Sequence, residues 1–558
     1  MKGYKRILVL ALSGLLVLGQ LSGQNQYSDH KSMSQRINKL SAGYPALCAV
    51  KSLTKTAGGK DIWAISVGTG ERDRKPAVAI VGGIEGNYLL GTELALGFAE
   101  NILKESSGNE IKSLLDKITF YIIPDASPDA REQYFSALKF ERNINAFKTD
   151  DDRDFTSDED PYEDLNNDGF ITLIRVSDRA GTMIESEDEK RIMVPADLSK
   201  GQMGAFIVYS EGIDNDKDGQ FNEDGPGGVN FNRNFTYNYE EFGANTGLHA
   251  VSEPETKAIA DFLYDHFNIY ATFTFGPQDN LGQPARGQER PSGGMQSVQG
   301  QPTVQTGGGR GTGDRRITSV MKSDETINKL VSDKYHEITG LKGAPPVKSA
   351  NGSFVDWAYF HYGRYSFSTP GWWFPADRAK NSEAAFLKYA EENKLPDPFV
   401  AWTEIKHPDF PDKKVEVGGI KPFEMINPPA DKLGECITQN YKFLIAAADL
   451  HPEIEFLDAK VESAGENIFR ITLKVHNKGV FATCAEVGDN NQWTKIMRIV
   501  VEPSKDQAFL SGQKVQRIQR LEGDKSSEFS WLISGKGAVK ITAGAINTGT
   551  INTTLDLK

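Results

Sequence analysis

The first 430 residues alternate short apolar runs with segments of helical periodicity. Short apolar runs are typical of buried strands, and four of them are found at 62–67, 77–81, 118–123 and 269–275. Helical patterns cover 33–40 and 92–103, and a third follows Ser252, which is predicted to form a capping box with Glu255 around Pro254. This alternation predicts an α/β sandwich built on a mixed sheet.

The pattern changes in the C-terminal part of the chain. A helical segment at 431–447 is followed by strict alternation of apolar and polar residues, as in 469–475, with turn residues between the runs. Repeated short runs of period two predict an all-β sandwich. We therefore predict a large α/β unit at 24–430, a helical connector at 431–451 and a β-sandwich domain at 452–558.

Two stretches interrupt the α/β pattern. Residues 282–316 are dominated by Gly, Gln, Pro, Ser and Thr, a composition that cannot bury a core, so a disordered loop is predicted. Residues 150–224 form an acidic insert, which contributes much of the net charge of −13. An acidic chain lacks the positive surface of a nucleic-acid binder, so no nucleic-acid partner is predicted.

The first residues have the pattern of an export signal. Lys2, Lys5 and Arg6 precede an apolar run at 7–19, and small and polar residues follow. The alternative is a membrane anchor, but the run is shorter than the roughly 20 residues that span a bilayer. We expect cleavage of residues 1–23, no integral membrane segment afterwards, and a product in the periplasm or outside the cell.

Few side chains are available for a metal centre. The three cysteines lie far apart in sequence, which excludes a disulfide-rich scaffold and a Cys-x-x-Cys site. Any such centre would draw on the eight histidines, and none of them stands three residues before a Glu or another His.

Five motifs follow one another in a fixed order: GIEGNY at 83–88, IIP with SPDA at 122–130, NRNF at 232–235, GS with DW at 352–357, and YSF at 365–367. In this order they resemble the zinc carboxypeptidase family, of the carboxypeptidase A type, in a bacterial exported branch. The resemblance covers about residues 30–430. It implies a carboxypeptidase-like mixed-sheet sandwich, which agrees with the α/β prediction.

The resemblance also implies a catalytic zinc held by two histidines and a glutamate, with a second glutamate as general base. In this chain the corresponding positions are occupied by Glu85, Tyr88, Gly276 and Pro370. Glycine and proline offer no side-chain ligand or proton acceptor, so loss of zinc catalysis and absence of a resident cofactor are predicted. The alternative is an active zinc enzyme with rearranged ligands, drawn from His361, Asp279 and Glu85.

The residues that hold the substrate carboxylate in the family are matched more closely. Asn232 and Arg233 match an Asn-Arg pair, and Arg142 is the best match for a further arginine. A guanidinium group can hold a carboxylate by two charge-assisted hydrogen bonds. The resemblance thus implies binding of a peptide C-terminus or another carboxylated ligand. The alternative is that Arg233 pairs with an acidic residue of the insert.

The acidic insert suggests a second metal. Asp214, Asp216 and Asp218 alternate before Gly219, like the first half of a calcium loop, and Glu223 could supply the closing carboxylate. Residues 164–169 repeat the pattern. The alternative is that both are solvated turns.

Aromatic residues at 372–374 follow the position of the lost base. They are predicted either to offer a stacking surface for a peptide or sugar, or to fill the edge of the core. The combined hypothesis is an exported pseudoenzyme that binds a carboxylated ligand. The alternatives are the rearranged zinc enzyme described above and a structural component of the cell envelope.

Overall fold

The computed structural model describes residues 26–149, 160–215, 217, 219, 221–222, 227–285, 317–342, 345, 347, 349–374 and 381–558. The predicted export signal at 1–23 and residues 286–316 of the predicted disordered loop lie outside these residues. Among the described helices, none is long and apolar enough to cross a membrane.

The first 420 residues contribute twelve of the described strands. They are β1 (Cys48–Lys55), β2 (Asp61–Val67), β3 (Ala77–Val81), β4 (Thr119–Ile123), β5 (Leu173–Ser177), β6 (Met183–Glu185), β7 (Met193–Pro195), β8 (Phe206–Ser210), β9 (Ile269–Phe275), β10 (Tyr365–Thr369), β11 (Phe399–Ile405) and β12 (Val415–Ile420). The four apolar runs of the sequence correspond to β2, β3, β4 and β9.

Nine α-helices precede the C-terminal domain in the described residues. They are α1 (His30–Gly43), α2 (Leu89–Lys104), α3 (Asn109–Lys117), α4 (Pro128–Arg131), α5 (Pro254–Asp265), α6 (Lys322–Thr339), α7 (Phe354–Phe360), α8 (Ser382–Glu392) and α9 (Leu433–Ala448). The predicted capping box before α5 is wrong: the N-cap is Glu253, and the Ser252 hydroxyl donates to the Glu253 carboxylate (2.7 Å) instead.

The central sheet has six strands in the order β1-β2-β4-β3-β9-β10. Strands β4, β3, β9 and β10 are parallel, and β1 and β2 are antiparallel to their neighbours. One core packs α2, α6 and α9 on one face of the sheet, and a second core packs α5 and α7 on the other. The predicted α/β sandwich with a mixed sheet is therefore confirmed.

A second six-stranded sheet, in the order β11-β12-β5-β8-β6-β7, joins the acidic insert to residues 399–420. Its core is small and contains Ile174, Val176, Val415 and Val417. Arg175 lies between the rings of Trp402 and Phe206, and its guanidinium group bonds Glu416 (2.9 Å) and Glu185 (3.1 Å). The strands of the insert are a feature that the sequence pattern did not predict.

Residues beyond β12 also support the main unit. The Asn427 carboxamide accepts the Leu89 N–H (2.8 Å) at the first turn of α2 and donates to the Asn87 carbonyl (2.8 Å). This caps a helix end whose amide groups would otherwise lack partners. The turn that carries the first family motif is therefore fixed by a residue 338 positions away in sequence.

The C-terminal domain is all-β apart from one short helix, α10 (Glu486–Asn491). Its strands are β13 (Ile454–Gly465), β14 (Ile468–Asn477), β15 (Met497–Glu502), β16 (Ala508–Ser511), β17 (Val515–Ile518), β18 (Lys525–Ser534), β19 (Gly537–Ala545) and β20 (Gly549–Leu557). They form two sheets, β13-β14-β18-β16 and β17-β15-β19-β20, around a shared core. The predicted β-sandwich is confirmed.

Candidate functional site

The positions that correspond to the family's zinc ligands and general base lie at the carboxyl edge of the central sheet. Glu85 follows β3, Gly276 follows β9 and Pro370 follows β10, and these strands are parallel neighbours. The Gly276 N–H donates to the Thr369 carbonyl (3.1 Å), which holds the last two strand ends together. Side chains at this edge therefore share one site, as is usual for the carboxyl ends of strands in open α/β sheets.

Glu85 is buried and held by two side-chain amides. Asn230 Nδ2 donates to Glu85 Oε2 (2.9 Å), and Asn232 Nδ2 donates to Glu85 Oε1 (3.0 Å). Burial raises the pKa of Glu85 to about 7, although the two amides and the positive charge of Arg233 act in the opposite direction. Both carboxylate oxygens are thus satisfied by hydrogen bonds from the protein.

Gly276 offers no ligand side chain, and the space beside it is occupied by Ile84. A Cβ atom at this position would lie 2.6 Å from both Cγ1 and Cδ1 of Ile84, which is itself fully buried. A histidine here would require Ile84 to move. The Tyr88 N–H donates to the Glu85 carbonyl (3.1 Å) at the start of α2, and Pro370 is buried without a proton-accepting side chain.

The residues present do not fit a catalytic zinc. Glu85 is engaged by amides, and the space at position 276 is filled by Ile84. Within the described residues, no group of three or more His, Cys, Asp or Glu side chains could hold a metal ion. No catalytic step is therefore derived through zinc.

The rearranged zinc site is not formed either. His361 Nδ1 lies 2.7 Å from the Thr236 hydroxyl, and the Asp279 carboxylate accepts the Gly282 N–H (2.7 Å). Neither residue joins Glu85 in a group that could hold a metal among the described residues. The alternative drawn from His361, Asp279 and Glu85 therefore gains no support from the described residues and stays a prediction.

Asn232 positions Glu85. Its side chain is 1% exposed, its Nδ2 donates to Glu85, and its Oδ1 accepts the N–H of Phe354 (2.9 Å) at the start of α7. Asn230 supports the same turn, since its Oδ1 accepts the Asn232 N–H (2.7 Å). Asn230 did not stand out in the sequence, because its partner Glu85 lies 145 residues away.

Arg233 keeps hydrogen-bonding capacity. Its Nη2 donates to Glu240 (3.2 Å), while its Nε is buried and has no hydrogen-bond partner among the described residues. The side chain is 29% exposed, so part of the guanidinium group reaches solvent. Its ion-pair partner Glu240 lies outside the acidic insert, contrary to the pairing considered from sequence.

Arg142 is engaged with the backbone. Its Nε donates to the Ile144 carbonyl (3.1 Å) and its Nη2 to the Asn145 carbonyl. Asn145 in turn donates to both Glu253 (2.8 Å) and Glu255 (2.7 Å), and burial raises the pKa of Glu255 to about 7. Arg142 therefore orders the loop beside this polar cluster.

The loop that carries Glu240 is strained. Four non-glycine residues between 238 and 251 have positive φ angles, and they include Val251 (φ 59°), whose branched side chain strongly disfavours this conformation. The Val251 N–H donates to the Asn234 carbonyl (2.6 Å), which fixes the strained residue. Phe242 and Leu248 on the same loop are 83% and 84% exposed. No sequence signal predicted this loop.

The calcium pattern is only partly covered by the structure. The Asp214 carboxylate accepts the Gly219 N–H (3.1 Å), and in the repeated pattern Asp164 accepts the Gly169 N–H (2.7 Å). Asp216, Asp218 and Glu223 lie outside the described residues. Both described carboxylates are thus engaged in tight turns, and the calcium prediction stays a prediction.

The aromatic residues at 372–374 are buried. Trp372, Trp373 and Phe374 are 9%, 5% and 3% exposed and belong to the core beside α9. The core-filling interpretation is therefore confirmed for these rings.

Glu85 is expected to make stability depend on pH. The pKa of Glu85 is about 7 in the folded protein and about 4.5 in the unfolded chain, so the folded state binds the carboxyl proton more tightly. Its contribution is complete below about pH 4.5 and is lost as the pH rises through 7. We expect the unfolding free energy of wild type relative to Glu85→Gln to fall by about 3 kcal/mol over this window.

Denaturant titrations at several pH values measure this difference. Asp125 and Glu255, whose pKa values are also raised, are present in both proteins and cancel in the comparison. A difference that stays constant from pH 4.5 to 8 would contradict the assignment.

Comparison with known proteins identifies the family of the chain. A family model described as zinc carboxypeptidase matches residues 33–372, more than half of the chain, and the chain belongs to this family. A second family model, described as a domain of unknown function (DUF8731), matches residues 453–556. The resemblance inferred from the five motifs is confirmed.

Curated relatives match over short segments. Carboxypeptidase D of Anas platyrhynchos is 30% identical over 138 residues, which cover 24% of this chain and 10% of the relative. Carboxypeptidase E of Caenorhabditis elegans is 27% identical over 111 residues, which cover 19% and 24%. The chain thus spans a small part of these relatives.

Solved structures also match. Bovine thrombin-activatable fibrinolysis inhibitor, solved with tick carboxypeptidase inhibitor, is 14% identical, with a TM-score of 0.40 over 76% of this chain and 97% of that chain. Carboxypeptidase A from Helicoverpa armigera is 13% identical, with a TM-score of 0.41 over 76% and 74%.

Proposed function

We propose that this protein is an exported zinc-carboxypeptidase-like protein that has lost zinc-dependent hydrolysis and binds peptide C-termini or another carboxylated ligand. The loss of catalysis is inferred mainly from the packing of Ile84 into the space at position 276, beside a Glu85 carboxylate held by two amides. A zinc site at this edge would need three ligand side chains, whereas Gly276 supplies none and Glu85 is engaged by the two amides.

Arg233 supports the binding part of the proposal. A guanidinium group with an unpartnered Nε and a partly exposed head can take a carboxylate as a second anion or in place of Glu240. Asn232 contributes indirectly, because its amide holds the carboxyl group of Glu85 next to this charge. The pattern at residues 1–23 supports export.

Purified protein is expected to contain no stoichiometric zinc and to release no C-terminal residue from peptides. The reason is that neither the family ligands nor the rearranged set converge on a metal in the described structure. Elemental analysis of protein purified without chelator, combined with a hydrolysis assay with and without added zinc, measures both. One zinc per chain together with turnover that a chelator abolishes would establish the active enzyme instead.

Arg233→Ala is expected to weaken binding of a peptide with a free C-terminal carboxylate by about 10- to 100-fold, because a charge-assisted hydrogen bond is worth about 1.5–3 kcal/mol. The same peptide with a C-terminal amide serves as the matched ligand and is expected to bind weakly to both proteins. Calorimetric titration measures the affinities.

Arg470→Ala is the control variant, since Arg470 is an exposed arginine of the C-terminal sandwich. It is expected to bind like wild type. If Arg233→Ala and wild type bound every tested peptide equally, a structural role in the cell envelope would be favoured over ligand binding.

A further inference from the structure

A cavity of about 440 Å³ lies where the end of α6, the start of α9 and helix α8 meet the segment that follows β10. None of its lining residues belongs to the cluster around Glu85 and Arg233. Its volume falls within the range of about 300–1,000 Å³ that is usual for small-molecule sites.

The walls of this cavity are fixed by contacts within the protein. The Trp373 indole N–H donates to the Lys342 carbonyl (3.0 Å), and Asn440 Nδ2 donates to the Gly371 carbonyl (3.5 Å). The rings of Trp372 and Tyr389 lie 6.4 Å apart at 60°, so they form an aromatic corner. The cavity is therefore formed before any ligand arrives.

The polar groups of the cavity offer both donors and acceptors. Asn393 and Gln439 each use their amide NH₂ group within the protein, on the Tyr389 carbonyl (2.8 Å) and on Glu435 (3.3 Å), which leaves their carbonyl oxygens as acceptors. The Lys342 ammonium group belongs to a residue that also lines the cavity and is a donor. Tyr389 lines the cavity as well and is half-buried.

The charges of the cavity nearly cancel. Lys432 lies 3.7 Å from Glu435, which leaves Lys342 as the uncompensated cation among the lining residues. The described residues hold no group that would bind a metal ion here. A neutral ligand with many hydroxyl groups and an apolar ring face matches these walls.

We propose that this cavity binds a small saccharide. One face of a sugar ring packs against the corner of Trp372 and Tyr389, and its hydroxyl groups exchange hydrogen bonds with Asn393, Gln439 and Lys342. This assignment is independent of carboxylate binding at Arg233. It gives the aromatic residues after β10 a second role besides filling the core.

Saturation-transfer NMR and calorimetry with glucose, N-acetylglucosamine, maltose and cellobiose test the proposal. At least one of these sugars is expected to bind wild type. Tyr389→Ala is expected to weaken its binding about tenfold, because it removes a stacking face worth up to about 1.5 kcal/mol. Tyr389→Phe, which keeps the ring, is expected to bind within about threefold of wild type.

Gln439→Ala, a change on the solvent side of α9, gives a second measurement if Tyr389→Ala fails to fold, and is expected to weaken binding severalfold. Arg233→Ala is expected to bind the sugar like wild type. Absence of binding for all four sugars would overturn the proposal. So would unchanged sugar affinity in both Tyr389→Ala and Gln439→Ala, which would place the binding elsewhere.

Discussion

Replacing Glu93 with alanine is expected to lower the free energy of unfolding by about 3–5 kcal/mol, the usual cost of leaving a buried charge without its partner. Glu93 lies on α2 and has no exposed surface. It accepts hydrogen bonds from the Ser28 N–H (2.7 Å), from Arg36 (2.7 Å) and from Arg131 (3.4 Å). Arg131 is 1% exposed. Without Glu93, its remaining carboxylate partner would be Asp125, whose Oδ2 lies 3.5 Å from Arg131 Nη1.

Chemical denaturation at pH 7 measures this loss. Glu100→Ala is the matched control, because Glu100 lies on the same helix and pairs with the same Arg36 at 2.7 Å, but its side chain is 31% exposed. A pair of this kind contributes about 0–1 kcal/mol. Equal losses for the two variants would show that burial does not decide the strength of these contacts.

Arg520→Ala is also expected to lower the free energy of unfolding by about 3–5 kcal/mol. Arg520 belongs to the C-terminal sandwich, and its Nη2 lies 3.2 Å from the Asp324 carboxylate on α6 of the main domain. Asp324 has no exposed surface and also accepts the Tyr359 hydroxyl (2.8 Å) and the Glu486 N–H (2.9 Å). Burial raises the pKa of Asp324, and the positive charge of Arg520 opposes this rise.

Differential scanning calorimetry measures this effect and also the coupling of the domains. In wild type a single transition is expected, since the buried ion pair joins the two domains, and in Arg520→Ala the transition of the sandwich is expected to separate. Arg517→Ala is the control: Arg517 is an exposed arginine on β17, three positions before Arg520, and its replacement is expected to change stability by less than about 0.5 kcal/mol. A similar loss in both variants would rule out the Asp324 contact as the cause.

Strands β3, β4 and β9 of the central sheet could be predicted because they are buried on both faces. The run that became β3 is apolar throughout and the run that became β4 is mostly apolar, so their pattern needs no knowledge of their neighbours. Strands β5 and β8 of the insert pair with each other in acidic surroundings around a core of few residues, and the other neighbour of β5 is β12, more than 200 positions away. Composition and periodicity therefore gave no signal for the second sheet.

The candidate site was predictable in one respect. Counting along the family motifs was enough to find glycine and proline where a ligand and a base would stand. It could not reveal what replaced them. The hydrogen bonds of Glu85 to Asn230 and Asn232, and the contact between Ile84 and position 276, depend on residues brought together by the whole sheet.

The cap that Asn427 places on α2 means that the folding unit is larger than the recognisable family segment. The family match ends at residue 372. The cap of α2 is nevertheless provided by the carboxamide of Asn427, 55 positions beyond that limit. Helix α9, which lies still later in the chain, packs in the same core as α2. The segment after β12 and the central sheet therefore belong to one structural unit.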